Sequence, residues 1–116
     1  MIDNQKMQVF QLQADVCKTL SDPHRLRIIH ELRDGEKSVG ELVSILGLTQ
    51  GSVSRNLGVL RERGIVLPRR EGNNIYYRLA SPKIAEACDI VRNFLEASLA
   101  RSRELLDSLK EQKAEK

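Results

Sequence analysis

The sequence predicts a mainly α fold with one small β-hairpin, and three observations carry that reading. Residues 38 to 63 hold two short helical patterns joined by the tight Leu46-Gly47-Leu48-Thr49 turn, the layout of a helix-turn-helix. A basic hairpin follows directly over residues 65 to 79, where a β-wing belongs. An apolar seam then runs through a last helix over residues 82 to 110. Together they describe a winged helix-turn-helix, one domain over residues 1 to 116, expected to dimerise through its first and last helices.

Taken in order, Gln5 to Leu20 reads as the first helix, with Val9, Phe10, Val16, Cys17 and Leu20 on one broad side that only Gln13 interrupts. Ser21-Asp22-Pro23 stops it, and Asp22 can cap a second helix that has Pro23 at its first position. Leu26, Ile29 and Leu32 are its expected buried side, with Gly35 just past its end. Ser38 stands three residues before Glu41, a capping box that opens the third helix, and Leu42, Ile45 and Leu46 are its inward face. Thr49 can cap the fourth helix, Gln50 to Arg63, and Gly64 is placed to end it in a left-handed conformation.

Within the fourth helix Val53, Leu57 and Leu60 recur at helical spacing and face the core, so Gln50, Ser54 and Arg55 are expected outward. Gly51 and Gly58 lower helix propensity, and Gly51 suits either close approach to a backbone or a tight helix crossing. Ile65 to Leu67 and Ile75 to Leu79 read as two short strands, and Pro68 implies an edge position. Between them Arg69-Arg70-Glu71-Gly72-Asn73-Asn74 forms a basic turn whose glycine and asparagine tolerate positive φ. In the last helix Ile84, Cys88, Val91, Leu95, Ser98, Ser102, Leu105 and Leu109 step by four and three, as a coiled-coil seam does. A small core cannot cover so long a helix, which implies a twofold dimer. Glu111 to Lys116 are charged and expected to fray.

A chain of 116 residues suits one modest core, built mostly of Leu, Ile and Val because only Phe10, Tyr76, Tyr77 and Phe94 are aromatic. Nothing resembles a signal peptide or a stretch of about 20 apolar residues, so the expectation is a soluble cytoplasmic protein with no membrane partner. Two cysteines cannot form a disulfide framework, and both are expected as thiols at rest.

Charge distribution points to the partner. Thr49 to Leu79 carries six arginines against two glutamates, a net +4 where the whole chain has +3. Positive charge concentrated on a helix-turn-helix and its hairpin is what contact with the phosphates of a double-stranded DNA operator requires. Arg55 can donate a bidentate pair to guanine, Gln50 can match adenine, and Ser54 can meet a base edge or a phosphate. Thr49, Ser52, Arg69, Arg70 and Asn73 complete the candidate DNA-binding set.

Other chemistry is sparse. No phosphate loop, nucleophile elbow or histidine-carboxylate metal motif appears, so no enzyme and no cofactor are expected. His24 and His30 are six apart and do not share a helical face. Cys17 and Cys88 sit on the two helices assigned to the dimer interface. They are either packing residues or a sensing pair. Arg92 favours the Cys88 thiolate, while Asp89 and the apolar seam oppose it.

Leu20-Ser21-Asp22-Pro23 with Arg25-Leu26-Arg27-Ile28, then SVGELVSILGLTQGSVSRNLGVLRERGIV, then RREGNNIYYRL resemble the ArsR/SmtB family of bacterial transcriptional repressors, over roughly residues 16 to 80. The resemblance implies a homodimer that binds an imperfect palindrome and leaves it when an inducer binds, with Gln50, Ser54 and Arg55 at base-contacting positions. Two metal sites common in the family are not matched. Ser38 and Gly40 stand where one has cysteines, and Ser81, Lys83, Phe94 and Ala97 stand where the other has an aspartate, two histidines and a glutamate. Some members sense oxidants or reactive sulfur by linking two cysteines, although their best-known pair has one on the second helix, where this chain has residues such as His30. Trivalent arsenic or antimony is a further option, and so is a module without a sensor that a partner protein controls. The inducer is not named by the sequence.

Overall fold

A computed structural model describes residues 3 to 114. The elements run α1 (Asn4–Leu20), α2 (Pro23–Leu32), β1 (Lys37–Ser38), α3 (Val39–Leu46), α4 (Gln50–Glu62), β2 (Val66–Glu71), β3 (Asn74–Leu79) and α5 (Pro82–Ala114). The chain divides into two compact units, Met1–Ala85 and Glu86–Lys116. The first carries the helix-turn-helix and wing, and the second is the greater part of α5.

Short-range side chains set the helix ends. Asp22 accepts from the backbone N–H of His24 at 2.9 Å and of Arg25 at 3.2 Å, with Pro23 opening α2. The Arg25 bond is the main cause that lowers the Asp22 carboxyl below its usual range. The Ser38–Glu41 capping box closes in both directions, at 3.1 Å and 3.2 Å. Thr49 Oγ1 accepts from the Ser52 N–H at 3.1 Å and starts α4. The end of α4 is a Schellman motif. Its Ile65 N–H donates to the Leu60 carbonyl at 3.0 Å and its Gly64 N–H to the Arg61 carbonyl at 2.9 Å, with Gly64 at φ +70°.

The core of the first unit is Ile28, Ile29 and Leu32 from α2, Leu42 and Leu46 from α3, Val53, Leu57 and Leu60 from α4, and Ile65, Val66 and Tyr77. Two expected core residues are exposed instead, Leu26 at 39% and Ile45 at 44%. On α2 the buried strip is Ile28, Ile29 and Leu32, and Leu26 lies more than a quarter turn round from its centre at 3.6 residues per turn. Ile45 lies a little under a quarter turn from the Leu42–Leu46 line, at the edge of the face those residues bury.

The sheet has three strands in the order β1-β3-β2, all antiparallel. Strand β1 was not expected, because two residues carry no periodicity to read. It pairs Lys37 with Tyr77 and Ser38 with Tyr76. The hairpin is also tighter than expected. Glu71 pairs with Asn74, so only Gly72 and Asn73 form the turn, and Arg69, Arg70 and Glu71 belong to β2. Gly72 alone takes positive φ there, at +60°, and Asn73 does not, which suits a two-residue turn with glycine first. Pro68 lies on β2, an edge strand, where its missing N–H breaks no ladder bond.

Helix α5 runs past Lys110 to Ala114, and residues 115 and 116 of the expected frayed end lie outside the described residues. Ile90, Phe94, Leu99 and Leu106 are exposed beside Val91, Leu95, Leu105 and Leu109, so its apolar surface is wider than the expected seam. Helix α1 exposes Met7, Val9, Phe10 and Leu12.

Two glycines, one within α4 and one just past its end, should respond in opposite directions. Gly64→Ala forces a Cβ into a left-handed residue and should lower unfolding free energy by about 1 to 2 kcal/mol in urea titration. Gly58 is helical with nothing within 4 Å of an added Cβ, and Gly58→Ala should raise it by about 0.5 to 1 kcal/mol.

Candidate nucleic-acid interface

The outward face of α4 is fixed by what its inward face buries. Val53, Leu57 and Leu60 have no exposure at all, and α4 packs on α2, α3 and β2. Opposite that row stand Gly51, Arg55 and Gly58, all exposed. Added Cβ atoms at Gly51 and Gly58 meet nothing within 4 Å, so the tight helix crossing considered for Gly51 is not what the residue serves. Ser54 is exposed on the flank. By rotation Gln50 falls near the buried row, yet it is exposed because it lies in the first turn, beyond the core. Thr49 is exposed and Ser52 half-buried.

Helix and wing meet across an open cleft of about 340 Å³. Gln50 and Ser54 line one side, Asn73 of the wing turn and Asn74 at the start of β3 another, and Ser38 and Gly40 at the start of α3 close the end. Among the expected DNA-binding residues, the structure therefore gathers Gln50, Ser54 and Asn73. Arg55 does not line the cleft and points from the face opposite the core.

The expectation treats Arg69 and Arg70 alike, and the structure separates them. Arg69 Nε donates to both carboxylate oxygens of Glu36 at 3.1 Å, Nη2 donates to Glu36 Oε1, and Nη1 donates to Glu71 Oε2 at 2.9 Å. The guanidinium also lies 4.8 Å from the centroid of the Tyr76 ring, directly across the ladder. This pairing raises the Arg69 pKa, and the Arg69 hydrogen bonds hold the Glu36 carboxyl below its usual range. Arg70 and Arg55 are exposed, and among the described residues neither forms an ion pair. Arg63 lies 3.8 Å from Asp15 of α1.

One residue that matters to this face was not singled out from the sequence. Asn56 sits within the apolar side of α4 and is 7% exposed. Its Nδ2 donates to the Ser52 carbonyl at 2.9 Å, and its Oδ1 accepts from Arg25 Nη1 at 3.4 Å. Arg25 Nε also donates to the carbonyl of Thr19, so this arginine ties the end of α1 to the recognition helix. A polar residue at an apolar position was the available signal.

Cys17 is exposed on α1 and Cys88 half-buried on α5, in different compact units. Burial pushes the Cys88 thiol pKa up, Asp89 adds to that, and Arg92 opposes it. Among the described residues no group of three or more His, Cys, Asp or Glu is placed to hold a metal ion. No described helix is long and apolar enough to cross a membrane.

Residues 22–67 match the family of bacterial regulatory proteins called the arsR family. A helix-turn-helix-type transcriptional regulator of Mycobacterium tuberculosis, Rv0081, is 40% identical over 103 residues, which span 88% of this chain and 90% of that protein. Its crystal structure matches with a TM-score of 0.72 at 41% identity, covering 80% of this chain and 94% of that one. The crystal structure of the transcriptional repressor BigR from Xylella fastidiosa matches with a TM-score of 0.70 at 39% identity, covering 81% and 96%. A solution structure of a homodimeric winged helix-turn-helix DNA-binding domain from Mycobacterium bovis matches with a TM-score of 0.77 at 30% identity, covering 86% and 93%.

The Glu36–Arg69 pair gives a direct titration test. In carbon-detected NMR, Glu36 should titrate below the ordinary glutamate value of about 4.3, and Arg69→Ala should return it there. Because the folded pKa is depressed, the pair's contribution to stability is present above the unfolded pKa and is lost as pH falls through the folded one.

Proposed function

The chain belongs to the arsR family of bacterial regulatory proteins, a family of DNA-binding transcriptional regulators rather than enzymes, and we propose that it acts in the cytoplasm as a homodimeric repressor of a palindromic operator. The observation that carries this reading is the recognition helix itself. A fully buried Val53-Leu57-Leu60 row holds Arg55 outward, and the wing turn stands beside Gln50 and Ser54 across a shared cleft. The N-terminal half of α4 enters the major groove, Arg55 and Gln50 meet base edges, Ser54 meets a base edge or a phosphate, and Thr49, Ser52, Arg70 and Asn73 meet backbone or flanking edges.

Dimerisation through α1 and the helix over residues 82 to 110 is supported by the apolar side chains these helices leave exposed, including Phe10, Ile90, Phe94 and Leu99. Large apolar side chains left bare on a helix mark a surface that another chain covers. A twofold pair presents two recognition helices, which a palindrome matches. Repression is the sign supported by the likeness to the Xylella repressor.

For the effector, the reading is reaction of Cys17 and Cys88 with an oxidant or reactive sulfur species, releasing the operator through the interface helices. The exposed Cys17 thiol supports access. A second reading, a DNA-binding module with no sensor of its own and controlled by a partner, is favoured by the raised Cys88 pKa, which leaves less thiolate to react.

Arg55→Ala should cost about 1 to 3 kcal/mol of operator affinity and relax specificity, measured by fluorescence anisotropy against operator and scrambled duplexes. Equal loss on both duplexes would make Arg55 a phosphate contact. The effector readings part on Cys17→Ser/Cys88→Ser. Under the thiol reading, persulfide treatment no longer weakens the variant's operator binding while it does weaken the unmodified chain's. Under the second reading, treatment changes neither protein.

A further inference from the structure

The wing's basic character is smaller than its arginine content. Arg69 and Arg70 are neighbours on β2 at the same exposed edge, yet one has two carboxylate partners and the other has none among the described residues. Glu36 is the informative partner. It lies 33 residues away in sequence, in the turn before β1, so its bond to Arg69 joins opposite edges of the three-stranded sheet across β3. The guanidinium crosses that central strand over the Tyr76 ring, and Tyr76 is paired on one side with Ser38 and on the other with Arg69. The β1 edge is itself held, because Lys37 Nζ donates to the Glu31 carbonyl at the end of α2.

A carboxylate that takes both donors of an arginine fork has the geometry a phosphate would use. Resting on the DNA-binding reading above, we infer that Glu36 and Glu71 occupy Arg69 as internal substitutes for a DNA phosphate, so that Arg69 is a positioning residue that fastens the wing to the β1 edge. Arg70 is then the phosphate contact of this strand. The wing is held in one orientation before DNA arrives, and its electrostatic attraction is set one charge lower than its arginines suggest. An isolated exposed ion pair would achieve little of this. Here one guanidinium engages two carboxylates and a ring, and each of its three nitrogens already donates within the protein.

Counterion release separates this inference from a plain phosphate contact, since removing one arginine–phosphate pairing lowers the dependence of log K on log salt by about one. Binding to a labelled duplex of mixed sequence is measured by anisotropy over a salt series, with circular dichroism confirming that each variant is folded. Arg70→Ala should lower the slope by about one. Arg69→Ala should weaken binding by the same factor at every salt concentration and leave the slope where it was. Glu36→Gln/Glu71→Gln should raise the slope by about one as Arg69 is released to the DNA, and adding Arg69→Ala should abolish that gain. A slope lowered equally by Arg69→Ala and Arg70→Ala would overturn the inference, as would a gain that persists without Arg69. No duplex binding by the unmodified chain at any salt concentration would contradict the DNA reading itself.

Discussion

The rotation of α4 about its own axis is the constraint on which the surface proposed to face DNA depends. Val53, Leu57 and Leu60 are buried completely, each worth about 1.5 to 3 kcal/mol relative to exposure. Turning the helix by one residue would bring at least one of them into water. Their burial thus decides that Arg55 faces outward, flanked by two glycines whose Cβ positions are open. Asn56 reinforces the same orientation by a different means. It is buried, and its amide is satisfied by the Ser52 carbonyl and by Arg25; buried polar groups are costly to strand, so this arrangement is specific.

The wing is positioned by the same logic with weaker forces. A two-residue turn with Gly72 at positive φ fixes the register from Glu71–Asn74 to Val66–Leu79. That register places Arg69 against Tyr76 and within reach of Glu36. Buried packing aims the recognition helix, while a charged network at the surface aims the hairpin beside it. The cleft between Gln50, Ser54 and Asn73 is the product of both.

What the sequence made legible was local. Caps need residues within three or four positions of each other, and Asp22, Ser38 with Glu41, Thr49 and Gly64 all act as their spacing indicates. The buried row of α4 was equally plain, because its period is that of the helix. What escaped depends on residues far apart. Strand β1 exists only because β3 comes to pair with it, Arg69 is committed by a carboxylate 33 positions away, and Asn56 is satisfied by an arginine 31 positions away. The exposure of Leu26 and Ile45 was hidden for a related reason. Apolar content marks a helix face only to within about a quarter turn, and neighbouring elements decide where its edge falls.

If the N-terminal half of α4 and the wing turn together form the DNA-binding face, a bound duplex perturbs both and leaves the buried helices alone. Amide NMR spectra of the isotopically labelled chain, recorded as a duplex is added, test it most directly. The expected result is that shift changes concentrate at Gln50, Ser54, Arg55, Arg70 and Asn73, with the buried amides of α2 unmoved. Changes confined to α5, or spread evenly over the chain, would place DNA binding elsewhere than on α4 and the wing.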